Sequence, residues 1–192
     1  GMIKMSIIGH LGKIMINATA VTDMLMNLGT MFTFSLASGA AVLVGKSVGQ
    51  KNYKLTKQHS HRIQILFFTI GIFMSMVVFL VKTPFIGLYS LTSETNELAA
   101  KMVTICAITL IGTTYHASCF IGINRGAGDS RFVMLVDMLC GWLVVLPLSA
   151  IMAFYFKVPL HIVYFFTRID QCFKWIIAFF RLRGNKWIHI IN

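Results

Sequence analysis

The sequence predicts an all-α membrane protein: a polytopic transmembrane helical bundle of five full spans preceded by a partial N-terminal one. Hydrophobic residues make up 57% of the 192 residues and charged residues only 12%, about half the roughly 25% charge of soluble domains. The mean hydropathy is +0.77. The apolar residues form long runs without the period-two alternation of strands. Such runs must be helical in lipid, where unpaired backbone groups are costly.

The elements follow in order along the chain. Residues 1–12 are apolar but short, with Lys4 among them, and we expect them to be the tail of a truncated span. Five longer segments follow, each able to cross a hydrocarbon core of about 30 Å at about 1.5 Å per residue. They cover residues 18–45, 63–81, 98–123, 132–156 and 160–180.

The cations predict the orientation. They cluster after the first span, after the third and in the tail: Lys46, Lys51, Lys54, Lys57, Arg62, Arg125, Arg131, Arg181, Arg183 and Lys186. An excess of this kind marks cytoplasmic loops, so we expect a cytoplasmic C-terminus and connections outside at 83–96 and 157–159. The net charge of +11 is therefore read as a topology signal, and nucleic acid is not an expected partner.

Three prolines fit the predicted spans. Pro84 and Pro159 are expected in connections. Pro147 lies inside the fourth predicted span, where a proline bends a helix because it lacks an N–H group.

Two positions in the first span are candidate cavity residues. Asp23 and Asn27 lie on a polar stripe with Thr19, Thr30 and Ser38, and such a stripe must face other helices or a wet cavity. Helix packing is an equal alternative, because the small residues at 35–41 let helices approach closely. In the third span Tyr115 shares a polar face with Thr104 and Ser118, and His116 is read as packing in preference to a proton relay.

Carboxylates in the last two spans are candidates for ion coupling. A carboxylate at mid-bilayer costs about 2.5–3.5 kcal/mol on insertion scales, so it needs a partner or a function. Asp170 is one turn from Lys174, which could neutralise it. Asp137 is near the cytoplasmic end and Arg131, so structural pairing is slightly favoured there. No enzyme motif, metal-ligand spacing or cofactor motif is present.

The segment from Gly122 to Phe132, GINRGAGDSRF, resembles the cytoplasmic RGxGD(S/T)xF loop of multidrug and toxic compound extrusion (MATE) transporters. Asp137, Trp142 and the Leu-Pro-Leu at 146–148 continue the likeness, as do Gly9-His10, Asn27 and the VGKSVG at 44–49. The resemblance covers nearly the whole chain. It implies that residues 1–192 form one transmembrane lobe, the C-terminal six-helix half, without the N-terminal lobe.

The resemblance also implies an activity. The family's pattern is antiport of Na⁺ or H⁺ against drugs or other small, cationic organic molecules across the cytoplasmic membrane, with no cofactor. The loop residues Arg125, Gly126, Gly128 and Asp129 would be structural or gating. One departure weakens the coupling role of the last span: Gln171 stands where relatives often have an acidic residue, unless Asp170 substitutes.

Two alternatives stay open at this stage. The same architecture serves lipid-linked sugar flippases, for which a more cationic cavity is expected. A truncated, non-transporting membrane fragment is the other alternative, since half a transporter cannot alternate access around a two-lobe cavity.

Overall fold

The computed structural model describes residues 13–89, 91–156, 158–184 and 187–188. All regular structure in these residues is helical, which confirms the predicted all-α class. The predicted partial span at residues 1–12 lies outside the described residues. Many large apolar side chains are exposed, among them Leu80, Leu143 and Phe180. Apolar surface of this extent belongs in lipid.

Four helices in the described part are long and apolar enough to cross a membrane. Helix α1 spans Lys13–Gly49 and α2 spans Tyr53–Gly87. Helix α3 spans Ser93–Ala117 and continues as a π-helix over Ser118–Arg125. The first part of helix α4 spans Ser130–Leu139. These helices contain the first four predicted spans.

The connections between the first three helices are short and capped. The Asn52 side chain accepts the Leu55 N–H at the start of α2, and Thr92 accepts the Thr95 N–H at the start of α3. Such caps satisfy backbone donors that have no partner within the helix. Pro84 was expected in a connection. That prediction was wrong, because α2 continues past it to Gly87.

Pro147 interrupts the regular hydrogen bonding of α4. After Leu139 the helix continues as a π-helix over Cys140–Val145, an α-helical turn over Leu146–Ala150 and a second π-helix over Ile151–Tyr155. Because proline cannot donate to the carbonyl four residues earlier, wider turns on either side re-pair the freed groups. The hydrogen-bond pattern thus changes around Pro147, and the predicted bend of the helix stays a prediction.

The fifth predicted span is interrupted. Helix α5 spans Leu160–Phe166 and α6 spans Asp170–Arg183. Between them Arg168 N–H bonds to Phe165 O at 2.9 Å, and Thr167 N–H bonds to Tyr164 O at 3.1 Å. These tight i→i−3 turns replace the α-helical ladder at the point where the polar residues lie.

Small residues set the closest helix contacts. A Cβ on Gly71 of α2 would lie 3.2 Å from Ile111 Cα of α3, so a larger residue would push the two helices apart by a few tenths of an ångström. On α1, Ala37 and Ala40 are buried against Gly122. Ser38 is exposed. The polar stripe is exposed only in part, since Asn27 and Ser38 are exposed but Thr19 is buried.

The three basic segments meet at one end of the bundle, which we call the basic end. Val44 near the end of α1, Ala127 after α3 and Trp187 after α6 belong to one apolar cluster there. The sorting of cations to one side, predicted from sequence, is therefore present in the fold.

Candidate functional site

A group of charged side chains lies inside the bundle near the basic end, between α3, α4 and α6. Lys174 Nζ is 3.0 Å from Asp137 Oδ1 and 2.9 Å from Asp170 Oδ2. Arg125 Nη2 lies 3.8 Å from Asp137 Oδ2. His116 Nε2 lies 4.0 Å from Asp137 Oδ1. We call these residues, His116, Arg125, Asp137, Asp170 and Lys174, the lysine cluster.

Lys174 connects two helices through this cluster. Asp170 is one turn earlier on α6, whereas Asp137 belongs to α4. The lysine side chain is only about 10% exposed. Its ammonium group therefore balances two carboxylates from different helices in a place where an unbalanced charge is costly.

Within the lysine cluster, the His116 side chain makes no hydrogen bond to the described residues. It is 8% exposed, and neither ring nitrogen has a hydrogen-bond partner among the described residues. The ring stacks edge-on against Phe120 at 4.7 Å. Its separation from Asp137 exceeds hydrogen-bonding distance. A buried polar group of this kind requires an explanation.

A second ion pair lies nearer the end of the bundle that is opposite the basic end. Arg168, in the break between α5 and α6, donates to Asp23 Oδ1 at 2.9 Å. Tyr164 Oη donates to the same oxygen at 2.8 Å and lies 3.3 Å from Cys106 Sγ. Asp23 is therefore held by two donors from the last span. Asp23 and Asp170 have different cationic partners, one on each side of the helix break.

The remaining predicted cavity residues lie apart from these clusters. Asn27 is exposed on α1. Tyr115 lines an apolar cavity of about 650 Å³, also lined by Phe68, Phe165, Trp175 and Phe179. Its hydroxyl donates to Gln64 Oε1 at 2.9 Å. A binding role for these two residues stays a prediction.

Three residues of the predicted gating loop fix its backbone conformation or its contacts with neighbouring helices. A Cβ on Gly126 would lie 2.7 Å from Ala41 O, so α1 packs directly on the loop backbone. Gly128 has φ of 90°, which other residues rarely adopt. Asp129 Oδ2 accepts from Arg181 Nη2 at 2.7 Å and from Nε at 3.0 Å. The loop is thereby tied to α1 and to α6.

Sequence reasoning found part of this arrangement. Pairing of Asp170 with Lys174 was predicted from their four-residue spacing and is confirmed. For Asp137, which is near Arg131 in the sequence, structural pairing was slightly favoured. Its carboxylate does lie among cations, but these are Lys174 and Arg125. His116 and Arg168 were not selected as site residues, although each is a polar side chain inside an apolar run.

The chain was compared with known proteins. A family model described as MatE matches residues 1–151, which include α1 to α3 and nearly all of α4. The chain belongs to the MatE family.

Two curated relatives of this MatE chain are named as uncharacterised transporters, and a third as a probable multidrug resistance protein. An uncharacterised transporter of Schizosaccharomyces pombe is 28% identical over 147 residues, covering 76% of this chain and 27% of the relative. The uncharacterised transporter YisQ of Bacillus subtilis is 21% identical over 160 residues, or 82% of this chain and 34% of YisQ. A probable multidrug resistance protein NorM of Brucella suis is 28% identical over 153 residues, or 77% and 32%.

The matched segments span about a third of these relatives. The family and the apolar helices together make this chain a multi-pass membrane protein of a transporter family. Asp170, Lys174 and Arg168 follow the segment that the family model matches.

Proposed function

We propose that this chain forms one lobe of a cation-driven exporter and that the lysine cluster couples ion entry to export. One observation carries the proposal: a single buried ammonium group, on Lys174, serves two carboxylates on different helices. Ionisable groups within membrane helices commonly mark ion pathways and proton relays.

The charge balance of the cluster makes it sensitive to one added cation. Two carboxylates face two permanent cations, Lys174 and Arg125, and an unprotonated His116 would add no charge. The sum is zero. One further monovalent cation would leave an excess charge in a place where desolvation is expensive. The cluster must then rearrange or face water, which links occupancy to conformation.

The coupling ion is Na⁺ or H⁺, and His116 favours H⁺. Na⁺ needs several oxygen ligands, but the carboxylates already accept from Lys174. A proton needs only a basic atom, and His116 offers ring nitrogens that have no hydrogen-bond partner in the part of the chain that the structure describes. A shift of about 1 Å would bring protonated Nε2 within hydrogen-bonding distance of Asp137. Lys174 would then be held chiefly by Asp170, and the link between α4 and α6 would weaken.

The exposed face of α1 is evidence for a second lobe that packs against it. Ser35 and Ser38 donate to carbonyls of the preceding turn, so these hydroxyls tolerate lipid. Asn27 makes no such side-chain bond among the described residues, and an unpaired amide is costly in hydrocarbon. We place this face, with Asn27 on it, against the N-terminal lobe and a central cavity between the lobes.

The substrates are small organic molecules, chiefly cations, and export is outward across the cytoplasmic membrane. The relative named as a probable multidrug resistance protein supports this substrate class. The basic end carries the excess cations and so lies in the cytoplasm, as does the C-terminus. No cofactor other than the coupling ion takes part.

The experiment uses the product of the complete reading frame in proteoliposomes. A pH gradient or a Na⁺ gradient is imposed separately, and transport of ethidium, a fluorescent organic cation, is recorded. Ethidium transport driven by the pH gradient supports the proposal. Transport of polyprenyl-phosphate sugars without either gradient would indicate a flippase. The absence of transport in all conditions would favour a non-transporting membrane fragment.

A further inference from the structure

A polar cavity opens at the basic end between α2 and the end of α6. Its volume is about 360 Å³, and its walls include Lys57, Ser60, His61, Arg183 and Trp187. No acidic residue is among the described residues that line it. Within the described residues neither Lys57 nor Arg183 has a carboxylate within 4.0 Å, unlike Arg181, which is bound to Asp129. The cavity therefore presents two available cations.

Two buried polar groups in this wall lack partners. Trp187 is 2% exposed and its Nε1 has no hydrogen-bond acceptor among the described residues. The Ser60 hydroxyl is likewise buried without a partner. Buried donors are nearly always satisfied, so these groups point to a ligand that accepts hydrogen bonds. Together with the cations they favour an anionic oxygen group.

An apolar cavity adjoins the polar one. It is the cavity of about 650 Å³ that Tyr115 lines, and Phe179 is part of both walls. The hydrogen bond from Tyr115 to Gln64, a residue of the polar cavity, also joins them. On α2, Phe68 of the apolar wall lies about 16 Å beyond Lys57 at 1.5 Å per residue. The cavities therefore extend from the basic end toward the bilayer interior.

We propose that the two cavities form one binding site for an anionic phospholipid. The phosphate lies by Lys57, Arg183 and the Trp187 N–H, and an acyl chain follows Phe179 into the apolar cavity. Arg183 is positioned for this, since its guanidinium carbon lies 4.4 Å from the Phe179 ring centre. Basic pockets between membrane helices suit lipid head groups of this charge. A free phosphate would account for the polar cavity but leave the apolar one unused.

The site does not depend on the proposed export activity. It contains none of the lysine cluster, and it binds lipid whether or not the protein moves a substrate. It does connect α2 to α6, the helix that carries Lys174.

The test is native mass spectrometry of the purified protein in detergent, titrated with dioleoyl phosphatidylglycerol or dioleoyl phosphatidylcholine. The double variant Lys57→Gln/Arg183→Gln removes the two cavity cations. The control Lys54→Gln/Arg62→Gln removes the same charge from basic-end positions of α2 that do not line the cavity. Because each cation near a lipid surface contributes about 1 kcal/mol, the cavity variant should bind phosphatidylglycerol about thirtyfold more weakly. The control should bind it like the wild type.

Three results would overturn the proposal. Equal binding of the two lipids would remove the need for an anionic head group. An equal loss of phosphatidylglycerol binding in the control variant would mean that general surface charge, and not the cavity, determines binding. Inorganic phosphate or glycerophosphoglycerol, measured by calorimetry, should bind far more weakly than the lipid. If either bound as tightly as phosphatidylglycerol, the site would be a phosphate site and the acyl chain would have no part in it.

Discussion

The ammonium group of Lys174 lies 3.0 Å from Asp137, a residue of another helix. A second bond, of 2.9 Å, joins the same group to Asp170 on its own helix. One side chain therefore holds α4 to α6 electrostatically. It lies beside the buried His116, whose ring makes no hydrogen bond to any residue that the structure describes. Stability and coupling should both depend on it.

Replacing Lys174 with Met should destabilise the protein strongly. The substitution keeps the length of the side chain but leaves two carboxylates without their common cation. Breaking a buried ion pair by removing one partner costs about 3–5 kcal/mol, and partial exposure of Asp137 places the expected loss near the lower value. Thermal unfolding in detergent measures it. Lys101→Met is the control, since Lys101 pairs with Glu97 on an exposed surface and should change little. Equal shifts in the two variants would contradict the assigned role.

Asp23 and Arg168 should behave as one energetic unit. Arg168→Gln leaves a half-buried carboxylate with only the Tyr164 hydroxyl, so its cost should approach about 3 kcal/mol. Asp23→Asn should then cost much less in the Arg168→Gln background than in the wild type. A double-mutant cycle of unfolding free energies measures this coupling. Additive losses would mean that the 2.9 Å pair contributes nothing.

Gly126→Ala should disrupt the loop at the basic end. The added Cβ would meet Gly122 O at 2.6 Å and Ala41 Cα at 2.9 Å, and backbone atoms cannot move aside cheaply. Overpacking of this kind costs about 1–3 kcal/mol. Gly141→Ala is the matched control, because nothing lies within 4 Å of its Cβ position, and it should be neutral or slightly stabilising. Comparable melting temperatures for the two variants would contradict the close packing of α1 on this loop.

The sequence was sufficient to predict the fold class and an ion pair between two residues of the same helix. Long apolar runs and clustered cations can be recognised directly in the sequence. The four-residue spacing of Asp170 and Lys174 places both side chains on one helix face, where they can form an ion pair. The pairing of Asp137 with Lys174 was not predicted, because that contact depends on how α4 and α6 are rotated about their axes. Residue spacing along one helix does not determine its rotation relative to another helix.

The break before Asp170 was also not visible in the composition. Residues 160–180 are apolar enough to suggest one helix, yet the polar side chains at 168 and 170 have different partners. One signal was available for the second ion pair. Asp23 is five residues into the predicted span 18–45 and Arg168 eight residues into the predicted span 160–180, about 8 and 12 Å at 1.5 Å per residue. Opposite charges at matching depth on helices that begin at the same end predict a pair.

The central claim, that the lysine cluster takes up and releases the coupling proton, is tested most directly by substrate-induced proton movement. Proteoliposomes containing a trapped pH dye receive ethidium, and protons moved per ethidium are counted for the wild type, Asp137→Asn and Glu94→Gln. Glu94, an exposed carboxylate at the start of α3, is the control. The account predicts coupled proton movement in the wild type and the control, and its loss in Asp137→Asn. The same proton count in all three proteins would contradict it.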